Sequence, residues 1–214
     1  MNKGVLFDMD GVLIDSEAFI CKAAIIMFAE KGVIVKEDDF QPFVGMGENR
    51  YIGGVAEKYN LKLDLVEAKA RTYQIYESIT EGHLEPLPGA LEFVSFCRRR
   101  GLRLALATSA DHIKMEINLK AIGLSAMSFQ STINGLEVER KKPFPDIYIK
   151  ASVNLGLKPE ECLVVEDAVS GVRAAKAAGC RCLAVITSFN REALFEADWI
   201  CDSLLNVPEE VLNW

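Results

Sequence analysis

The stretch GVLFDMDGVLIDSEA (residues 4–18) places three carboxylates, Asp8, Asp10 and Asp15, directly after a short apolar run. An apolar run that ends in acidic residues fits a buried strand of a parallel sheet, and ligands bind at the carboxyl edge of such sheets. Asp8 and Asp10 are two residues apart, so their side chains project to the same side of an extended chain. The same letters also fit a β-hairpin, because Asp-Gly between apolar runs favours a two-residue turn. The rest of the chain decides between these two interpretations.

The composition is that of a globular chain with an acidic balance. Half of the 214 residues are hydrophobic, which is enough to bury a substantial core, and the formal net charge is −7 at pH 7. This charge disfavours binding to nucleic acid or to an anionic membrane, and an anionic substrate would need local positive charge or a metal. We expect no signal peptide, because Asp8 and Asp10 interrupt the first apolar stretch, and no membrane-spanning helix.

The six cysteines are scattered along the chain without a CxxC pair. Four of them lie inside apolar segments, where a free cysteine behaves as a small hydrophobe. This usage is typical of a reducing compartment, so we expect a cytoplasmic protein, with a monomer as the default state. His83 and His112 lack partners at metal-ligand spacing, and zinc is therefore not expected.

From residue 102 onward, short apolar runs alternate with helix-like segments. LRLALAT, CLVVED and CRCLAVIT have the pattern of buried strands, and amphipathic segments such as PDIYIKASVNLG separate them. Near-continuous apolar strands with helices on both faces are typical of a parallel sheet. The strand near residue 4 has no partner nearby, so we expect it to join this sheet. The sequence thus predicts an α/β core formed by residues 1–15 and 87–214.

Residues 16–86 carry only helix signals and predict an inserted all-helical cap domain. Asp64, with Glu67 three residues later, resembles a capping box at the start of a helix within this interval. For Asp15 and Ser16 we predict a structural role, as hydrogen-bond acceptors at the start of the first cap helix.

Polar groups follow three more predicted strands or loops. LALATSA ends at Thr108 and Ser109, CLVVED ends at Glu166 and Asp167, and KKPFPD places Lys142 just before a helix. Because the carboxyl ends of parallel strands meet at one edge of the sheet, these groups would meet there as well. Four segments that each bring a different set of polar side chains to one edge favour an active site, because a hairpin would give no reason for this grouping.

These four segments resemble the motifs of the haloacid dehalogenase superfamily of phosphotransferases. The matching stretches are DMDGVLIDS, TSA, KKPFPDIY and VVEDAVSGV, and the resemblance covers essentially the whole chain. The insertion is similar to the helical cap of the subgroup that contains phosphoglycolate phosphatase-like and β-phosphoglucomutase-like enzymes. The resemblance implies a Rossmann-like parallel sheet flanked by helices, with the cap inserted between the first two motifs. The cap stretch PFVGMGENRYIGGVAEKYN is also similar to the hydrolase domain of plant suppressor-of-quenching proteins.

The resemblance implies a role for each acidic residue of the motifs. Asp8 would attack phosphorus and form an aspartyl-phosphate, which splits one difficult displacement into two easier ones. Asp10 would protonate the leaving oxygen and then deprotonate the attacking water. Asp8, the backbone carbonyl of Asp10, Glu166 and Asp167 would hold Mg²⁺, which prefers hard oxygen ligands.

The remaining motif residues would bind the phosphate. Lys142 would supply a compact positive charge, and Thr108 with the neighbouring groups of Ser109 and Ala110 would hold the phosphate oxygens. The superfamily usually has glycine before this lysine, where the present chain has Lys141. We assign the role to Lys142 because it adjoins the proline of the motif.

We therefore predict a Mg²⁺-dependent phosphatase that acts on a small phosphorylated metabolite such as a sugar phosphate. Arg50 lies in the glycine-rich stretch GMGENRYIGG, for which we predict a flexible cap loop over the site, and it is a candidate substrate contact.

Three other functions remain as alternatives. A phosphomutase of the β-phosphoglucomutase type shares all four motifs, but members of that branch tend to carry histidine where this chain has Ile20. Haloacid dehalogenation is disfavoured, because those members lack an aspartate at the position of Asp10 and use no metal. A receiver-like phosphoacceptor module would group similar residues, but it would begin with the acidic metal pair and would have no helical cap.

Overall fold

The protein forms a six-stranded parallel sheet in a computed structural model that describes residues 3–43 and 47–213. The strands are β1 (Gly4–Phe7), β2 (Arg103–Ala107), β3 (Ser131–Ile133), β4 (Cys162–Glu166), β5 (Arg181–Val185) and β6 (Trp199–Cys201). Their order across the sheet is β3-β2-β1-β4-β5-β6, and every neighbouring pair is parallel. The predicted α/β class is confirmed, and the Asp-Gly segment after β1 is not the turn of a hairpin.

The first strand lies in the middle of the sheet, although its partners come much later in the chain. Leu6 is in register with Ala105 of β2 on one side and with Val164 of β4 on the other. The prediction that this strand joins the later ones is therefore confirmed. A central parallel strand is buried on both faces, which explains why its residues are all apolar.

Seven α-helices accompany the sheet in the described part of the chain. They are α1 (Glu17–Glu30), α2 (Glu48–Lys58), α3 (Leu65–Thr80), α4 (Ala90–Arg99), α5 (His112–Ala121), α6 (Asp146–Asn154) and α7 (Val169–Ala178). The first three follow β1 directly. Helix α1 packs along α3, and α3 contacts α5, which follows β2. The described residues of the interval 16–86 form helices and short 3₁₀ turns, as predicted.

Alternating residues of the strands fill two apolar layers. Val5 and Phe7 belong to a core cluster that continues into α1 and α3, whereas Leu6 belongs to the cluster beneath α6 and α7. All six cysteines are free and buried, so they pack as small hydrophobic side chains. None of the helices in the described ranges is long and apolar enough to span a lipid bilayer.

The structure differs from the sequence prediction in the glycine-rich stretch. A helix, α2, begins at Glu48, so the predicted flexible loop is wrong for residues 48–54, while residues 45 and 46 lie outside the described part. Helix α3 agrees better, because the Asp64 side chain accepts hydrogen bonds from the backbone N–H groups of Val66 and Glu67 at its N-terminus.

Candidate active site

The carboxyl edge of the sheet brings three buried acidic residues together. Asp8 follows β1, Glu166 ends β4, and Asp167 follows it directly. One carboxylate oxygen from each lies within 4.8 Å of the others. Ionised carboxylates at this separation repel one another, and a hard divalent cation bound by their oxygens would remove the repulsion. The cluster is therefore compatible with metal binding.

Lys142 reaches this cluster from the segment before α6. Its Nζ donates to Asp8 Oδ1 and to Glu166 Oε1, each at 2.6 Å, and the side chain is only 8% exposed. Burial lowers the pKa of Lys142, but the charges and hydrogen bonds of the two carboxylates raise it by more than burial lowers it. The pKa of Lys142 is therefore above its usual value. Lys142 is therefore a buried cation that lies between the carboxylates of Asp8 and Glu166.

Glu166 uses both of its oxygens within the protein. Oε1 accepts from Lys142 and from the Tyr148 hydroxyl at 2.7 Å, and Oε2 accepts from the backbone N–H groups of Asp167 and Ala168 at 2.9 and 3.0 Å. Burial raises the pKa of Glu166, but Lys142 and these hydrogen bonds outweigh it and hold the pKa below its usual value. Four accepted bonds saturate the carboxylate. Glu166 therefore holds Lys142 in place beside Asp8, and metal ligation by Glu166 stays a prediction.

The other two acids of the cluster have raised pKa values. Burial, together with the charges of Glu166 and Asp10, raises the pKa of Asp8 to about 7 despite the nearby Lys142. Burial and the charges of Glu166 and Asp8 raise the pKa of Asp167 to about 8. Both acids thus lie in an environment that disfavours their ionised forms, and a coordinated cation would favour those forms instead.

The backbone next to Asp10 comes very close to this pair. Gly11 has a positive φ of +78°, and a Cβ atom at this position would lie 1.9 Å from Asp167 Oδ2. Glycine is therefore needed here for two reasons, the left-handed backbone conformation and the lack of space for a side chain. The Asp-Gly pair, which also fitted a hairpin, allows Asp167 to approach the end of β1.

Asp10 lies at the centre of a second network that connects four elements. Its Oδ1 accepts hydrogen bonds from Ser16 Oγ and from Asn118 Nδ2, the latter at 3.4 Å, and its Oδ2 accepts from Lys114 Nζ at 3.1 Å. The Tyr76 hydroxyl donates to Asn118 Oδ1 at 2.5 Å. Ser16 precedes α1, Tyr76 lies on α3, and the other two lie on α5. Residues of the helical interval and of the α/β core therefore both bind the Asp10 carboxylate.

The predicted capping role of Ser16 is wrong. Ser16 occupies the N-cap position of α1, but its side chain makes no capping hydrogen bond and donates to Asp10 instead. Asp15 is exposed and lines the cavity described below. The Ser16 hydroxyl donates to Asp10 because the two side chains are close together. A charged carboxylate is also a stronger hydrogen-bond acceptor than the neutral groups of the turn.

Thr108 follows β2, the strand that neighbours β1 on the side opposite to β4. Its backbone N–H donates to Ile133 O at 3.0 Å, and its Oγ1 accepts from the Ala110 N–H at 3.1 Å. The hydroxyl proton of this buried threonine remains available to a ligand. Thr108, Ser109 and Ala110 all line the cavity, so the structure brings the predicted phosphate-binding segment to the acidic cluster.

A cavity of about 540 Å³ opens above these groups. Asp8, Asp10, Lys142, Glu166 and Asp167 line it on the sheet side, and Ile20, Phe43, Glu48 and Tyr51 line it on the helical side. Arg50 is not among its lining residues. The Arg50 guanidinium donates to both carboxylate oxygens of Glu57, at 2.8 and 3.0 Å, and lies over the Phe43 ring. The structure therefore gives this candidate substrate contact other partners.

Sequence reasoning missed several side chains that shape the site. Tyr148, Lys114 and Asn118 contact the acidic groups, and Glu48 lines the cavity. The spacing of Lys114 and Asn118 offered a signal, because residues four apart share one face of a helix and this helix follows the TSA motif. Tyr148 ends the motif stretch KKPFPDIY, which was a signal for it as well, whereas Glu48 carried none.

Comparison with known proteins gives a consistent result. Residues 2–179 match the family model for haloacid dehalogenase-like hydrolases. "Phosphorylated carbohydrates phosphatase" of Thermotoga maritima is 33% identical over 213 residues, which cover 99% of this chain and 97% of that protein. "Protein SUPPRESSOR OF QUENCHING 1, chloroplastic" of Arabidopsis thaliana is 45% identical over 199 residues, but the match spans only 19% of the plant protein's length.

A solved structure resembles this one throughout. CbbY from Rhodobacter sphaeroides, crystallised in complex with phosphate, superposes with a TM-score of 0.89 and 26% sequence identity, and the match covers 100% of both chains. The parallel sheet and the helical interval therefore occur together in a known protein of the same size.

Proposed function

Because the chain belongs to the haloacid dehalogenase-like hydrolases, we propose that it is a phosphatase that hydrolyses a small phosphomonoester, in particular a sugar phosphate. The observation that carries the proposal is Lys142 bound to Asp8 at 2.6 Å beside Asp167 and Thr108, at the floor of one cavity. A nucleophile, a fixed cation and a hydroxyl donor are the groups that phosphoryl transfer requires. The Thermotoga relative, named as a phosphatase of phosphorylated carbohydrates, supports this substrate class.

Mg²⁺ fits the acidic cluster as a resident cofactor. Asp8 and Asp167 offer buried, hard oxygen donors whose raised pKa values reflect burial and neighbouring negative charge. We expect these two carboxylates and the backbone carbonyl of Asp10 to hold the ion. When bound, Mg²⁺ would offset the repulsion between a carboxylate nucleophile and a phosphate dianion and would polarise the phosphoryl group.

In the first half of the reaction, a carboxylate oxygen of Asp8 attacks phosphorus, and the bond to the leaving oxygen breaks. Lys142 stabilises the ionised form of Asp8 and the charge of the transferring group. Asp10 donates its proton to the leaving oxygen, which departs as an alcohol. The product of this half is an aspartyl-phosphate on Asp8.

In the second half, Asp10 removes a proton from a water molecule that attacks the same phosphorus. The acyl phosphate bond breaks, inorganic phosphate forms, and Asp8 is regenerated as a carboxylate. The Ser16, Lys114 and Asn118 donors fix the Asp10 carboxylate for both proton transfers. Orientation by several fixed donors is what places a general acid and base within reach of the reacting oxygen.

The division of the chain into a core of residues 1–15 and 87–214 and a cap of residues 16–86 is part of the same proposal. The cap contributes Glu48 and Tyr51 to the cavity, so the leaving group of the substrate would contact the cap while the phosphate contacts the core. In such an arrangement, closure of the cap excludes water from the site and selects the substrate.

A phosphomutase is not favoured. Where that branch tends to carry histidine, Ile20 is buried and presents an aliphatic surface to the cavity. An aliphatic side chain can neither donate nor accept the proton that a second phosphate transfer to a sugar hydroxyl would need.

The test is the release of inorganic phosphate from a panel of sugar phosphates and p-nitrophenyl phosphate, with and without Mg²⁺. We expect turnover that needs Mg²⁺, and we expect Asp8→Asn to lower kcat by a factor on the order of 10³ or more. Asp38→Asn makes the same chemical change at an exposed position and is the matched control. Inactivity across the panel, or an Asp8→Asn variant as active as the control, would contradict the proposal.

A further inference from the structure

The cavity is lined by cations of two kinds. Among the residues that the structure describes, these cations are Lys114, Lys142 and Arg173. Both lysine side chains are almost fully buried, whereas the Arg173 side chain is 56% exposed. A side chain that lines a cavity and is also half exposed lies where the cavity opens to solvent. Arg173 therefore belongs to the mouth of the cavity, and the two lysines belong to its floor.

The two lysines lie beside the acidic groups of the reaction. Lys142 Nζ is 2.6 Å from Asp8 Oδ1 and from Glu166 Oε1, and Lys114 Nζ is 3.1 Å from Asp10 Oδ2. In the proposed reaction, the phosphate that Asp8 attacks lies within reach of Lys142. An anionic group at the far end of the same substrate would therefore need a different cation.

Arg173 has unused hydrogen-bond donors. Its only hydrogen bond within the described ranges runs from Nε to Glu196 Oε1, at 2.8 Å. A guanidinium group has five N–H donors, so the four on Nη1 and Nη2 have no acceptor in this part of the chain. An exposed ion pair contributes little to stability, so the contact with Glu196 leaves Arg173 able to bind a second acceptor. Paired N–H groups of a guanidinium match two oxygens of a carboxylate or a phosphate.

The position of Arg173 on α7 connects it to the reaction site. Helix α7 begins at Val169, two residues after Asp167, and Arg173 lies about one turn further along. Side chains lean toward the N-terminus of their helix, so the Arg173 side chain extends back toward the end of α7 that adjoins Asp167. Ser170 is exposed, lines the same cavity, and lies three residues before Arg173 on one face of the helix. The wall between Asp167 and Arg173 is therefore continuous.

We propose that Arg173 and Ser170 form a subsite for a second oxyanion, and that the leaving group of the preferred phosphomonoester carries a carboxylate or a second phosphate. The inference rests on the proposed phosphatase function and narrows its substrate class. The transferred phosphate lies at the floor of the cavity beside Lys142, the second anion lies at the mouth, and the carbon skeleton lies between them. The cavity volume of about 540 Å³ is within the range of sites for small molecules.

The first test compares two ligands with the same carbon chain and the same phosphate. 6-Phosphogluconate ends in a carboxylate at C1, and sorbitol 6-phosphate ends there in an uncharged hydroxyl. Their Kd values are measured by calorimetry in Mg²⁺ with Asp8→Asn, which cannot form the aspartyl-phosphate. Adding Arg173→Gln should weaken binding of 6-phosphogluconate about tenfold more than binding of sorbitol 6-phosphate, because it removes a charged donor pair. Fructose 1,6-bisphosphate and fructose 6-phosphate form a second pair, in which the additional anion is a phosphate.

The second test is kinetic and uses Asp8 intact. Arg173→Gln should raise KM for 6-phosphogluconate and fructose 1,6-bisphosphate about tenfold more than KM for p-nitrophenyl phosphate, whose leaving group has no second anion. The loss should appear in KM rather than in kcat, because a contact far from the reacting bond is made equally in the ground state and the transition state.

Arg71→Gln is the matched control. It makes the same change on α3, outside the cavity, where the exposed arginine pairs with Glu30. This control should leave all of the ligand ratios unchanged. Glutamine and arginine have similar helix propensities, so neither variant should unfold its helix.

The outcomes separate the subsite from the catalytic function. If the wild-type protein hydrolyses p-nitrophenyl phosphate and Asp8→Asn does not, the proposed function stands. If Arg173→Gln then weakens the charged and uncharged ligands of both pairs equally, or weakens none of them, the subsite is overturned. A loss confined to the carboxylate pair or to the bisphosphate pair supports the subsite and identifies its anion. If no substrate is hydrolysed, the proposed function fails, and calorimetry still decides whether Arg173 binds an oxyanion.

Discussion

Replacement of Gly11 by alanine tests the geometry on which the active site depends. An alanine Cβ at this position would lie 1.9 Å from Asp167 Oδ2 and 2.4 Å from Asp167 Cγ. Ordinary contact begins near 3.4 Å, so the carboxylate and the backbone must separate by about 1.5 Å. A misplacement of about 1 Å can lower an enzymatic rate on the order of 10²-fold. We therefore expect Gly11→Ala to lower kcat/KM by at least that factor.

The backbone conformation alone carries a separate cost, and Gly32 allows it to be measured. Gly32 has the same φ of +78°, and a Cβ added there would meet nothing within 4 Å. Alanine in the left-handed region costs about 1 to 2 kcal/mol at either position. Gly32→Ala should therefore lose this amount of unfolding free energy and keep full activity. The difference between the two variants isolates the contact with Asp167.

The assays are urea denaturation, kcat/KM for a turned-over phosphomonoester, and the Mg²⁺ concentration that gives half-maximal rate. We expect Gly11→Ala to need more Mg²⁺ than Gly32→Ala, because the displaced carboxylate is one of the two carboxylates expected to bind the ion. If Gly11→Ala stays within threefold of Gly32→Ala in both kcat/KM and the Mg²⁺ requirement, the close approach of Gly11 to Asp167 has no catalytic importance and our reasoning is refuted.

Three further predictions follow from the buried charges. Lys142→Met should abolish phosphate release and lower the unfolding free energy by about 3 to 5 kcal/mol, because it leaves buried carboxylates unpaired; Lys141→Met, at an exposed neighbour, should change neither, and equal effects would reverse our assignment. Tyr148→Phe removes one hydrogen bond to the carboxylate that ends β4 and should cost about 1 to 3 kcal/mol in urea denaturation, whereas an unchanged midpoint would contradict this contact. In EDTA, the pKa values of about 7 for Asp8 and about 8 for Asp167 lie above the ordinary value of 3.8, so their contribution to stability is full below about pH 4, decreases as the pH rises above that ordinary value, and is lost once the pH has passed 7 to 8. The Tm of the metal-free wild-type protein should fall over that range, and the Tm of metal-free Asp167→Asn should fall less. Mg²⁺ should raise the Tm of the wild type more at pH 8 than at pH 5. A Tm difference between the wild type and Asp167→Asn that does not change with pH would count against this prediction.

The sequence predicted the sheet and the motif positions because both depend on local patterns. Buried parallel strands need continuous apolar runs, and each long run of the C-terminal part became a strand. The strand β6 was missed, since Trp199–Cys201 has three residues and lies beside polar neighbours. A three-residue edge strand is defined by the partner it pairs with, here β5, and not by its own composition.

The glycine-rich cap segment shows a different limit. Gly53 and Gly54 lower the intrinsic helix propensity of this stretch, yet both lie inside α2. A Cβ at Gly54 would lie 2.4 Å from the Phe43 ring, and the nearest atoms to Gly53 belong to Leu65. Close packing against Phe43 therefore requires glycine at position 54, whereas a Cβ at Gly53 would make only ordinary contact with Leu65, at 3.4 Å. Tertiary contacts override the low helix propensity of this stretch. From the sequence alone, a glycine that makes a loop flexible cannot be distinguished from a glycine that allows a helix to pack closely.

The network around Asp10 could not be predicted as a whole, for a related reason. Its members Ser16, Tyr76 and Lys114 belong to three segments that are distant in sequence, and each has an ordinary alternative role as a cap, a core residue or a surface cation. Their function arises only from packing α1 and α3 against α5. The motif residues were predictable because each follows a strand, where topology fixes the position.

The distribution of charge gives the two sides of the cavity different tasks. On the sheet side, Lys142 is fixed between carboxylates, so the phosphate enters a site whose charges are already oriented and need little reorganisation. On the cap side, Ile20, Phe43 and Tyr51 line the cavity, so the rest of the substrate would contact apolar and aromatic side chains there. The groups for the chemical step therefore lie at the strand ends, and the groups that would contact the rest of the substrate lie on the cap. Because these elements are separate in sequence, changes in the cap can alter substrate choice while Asp8 and Asp167 remain in place.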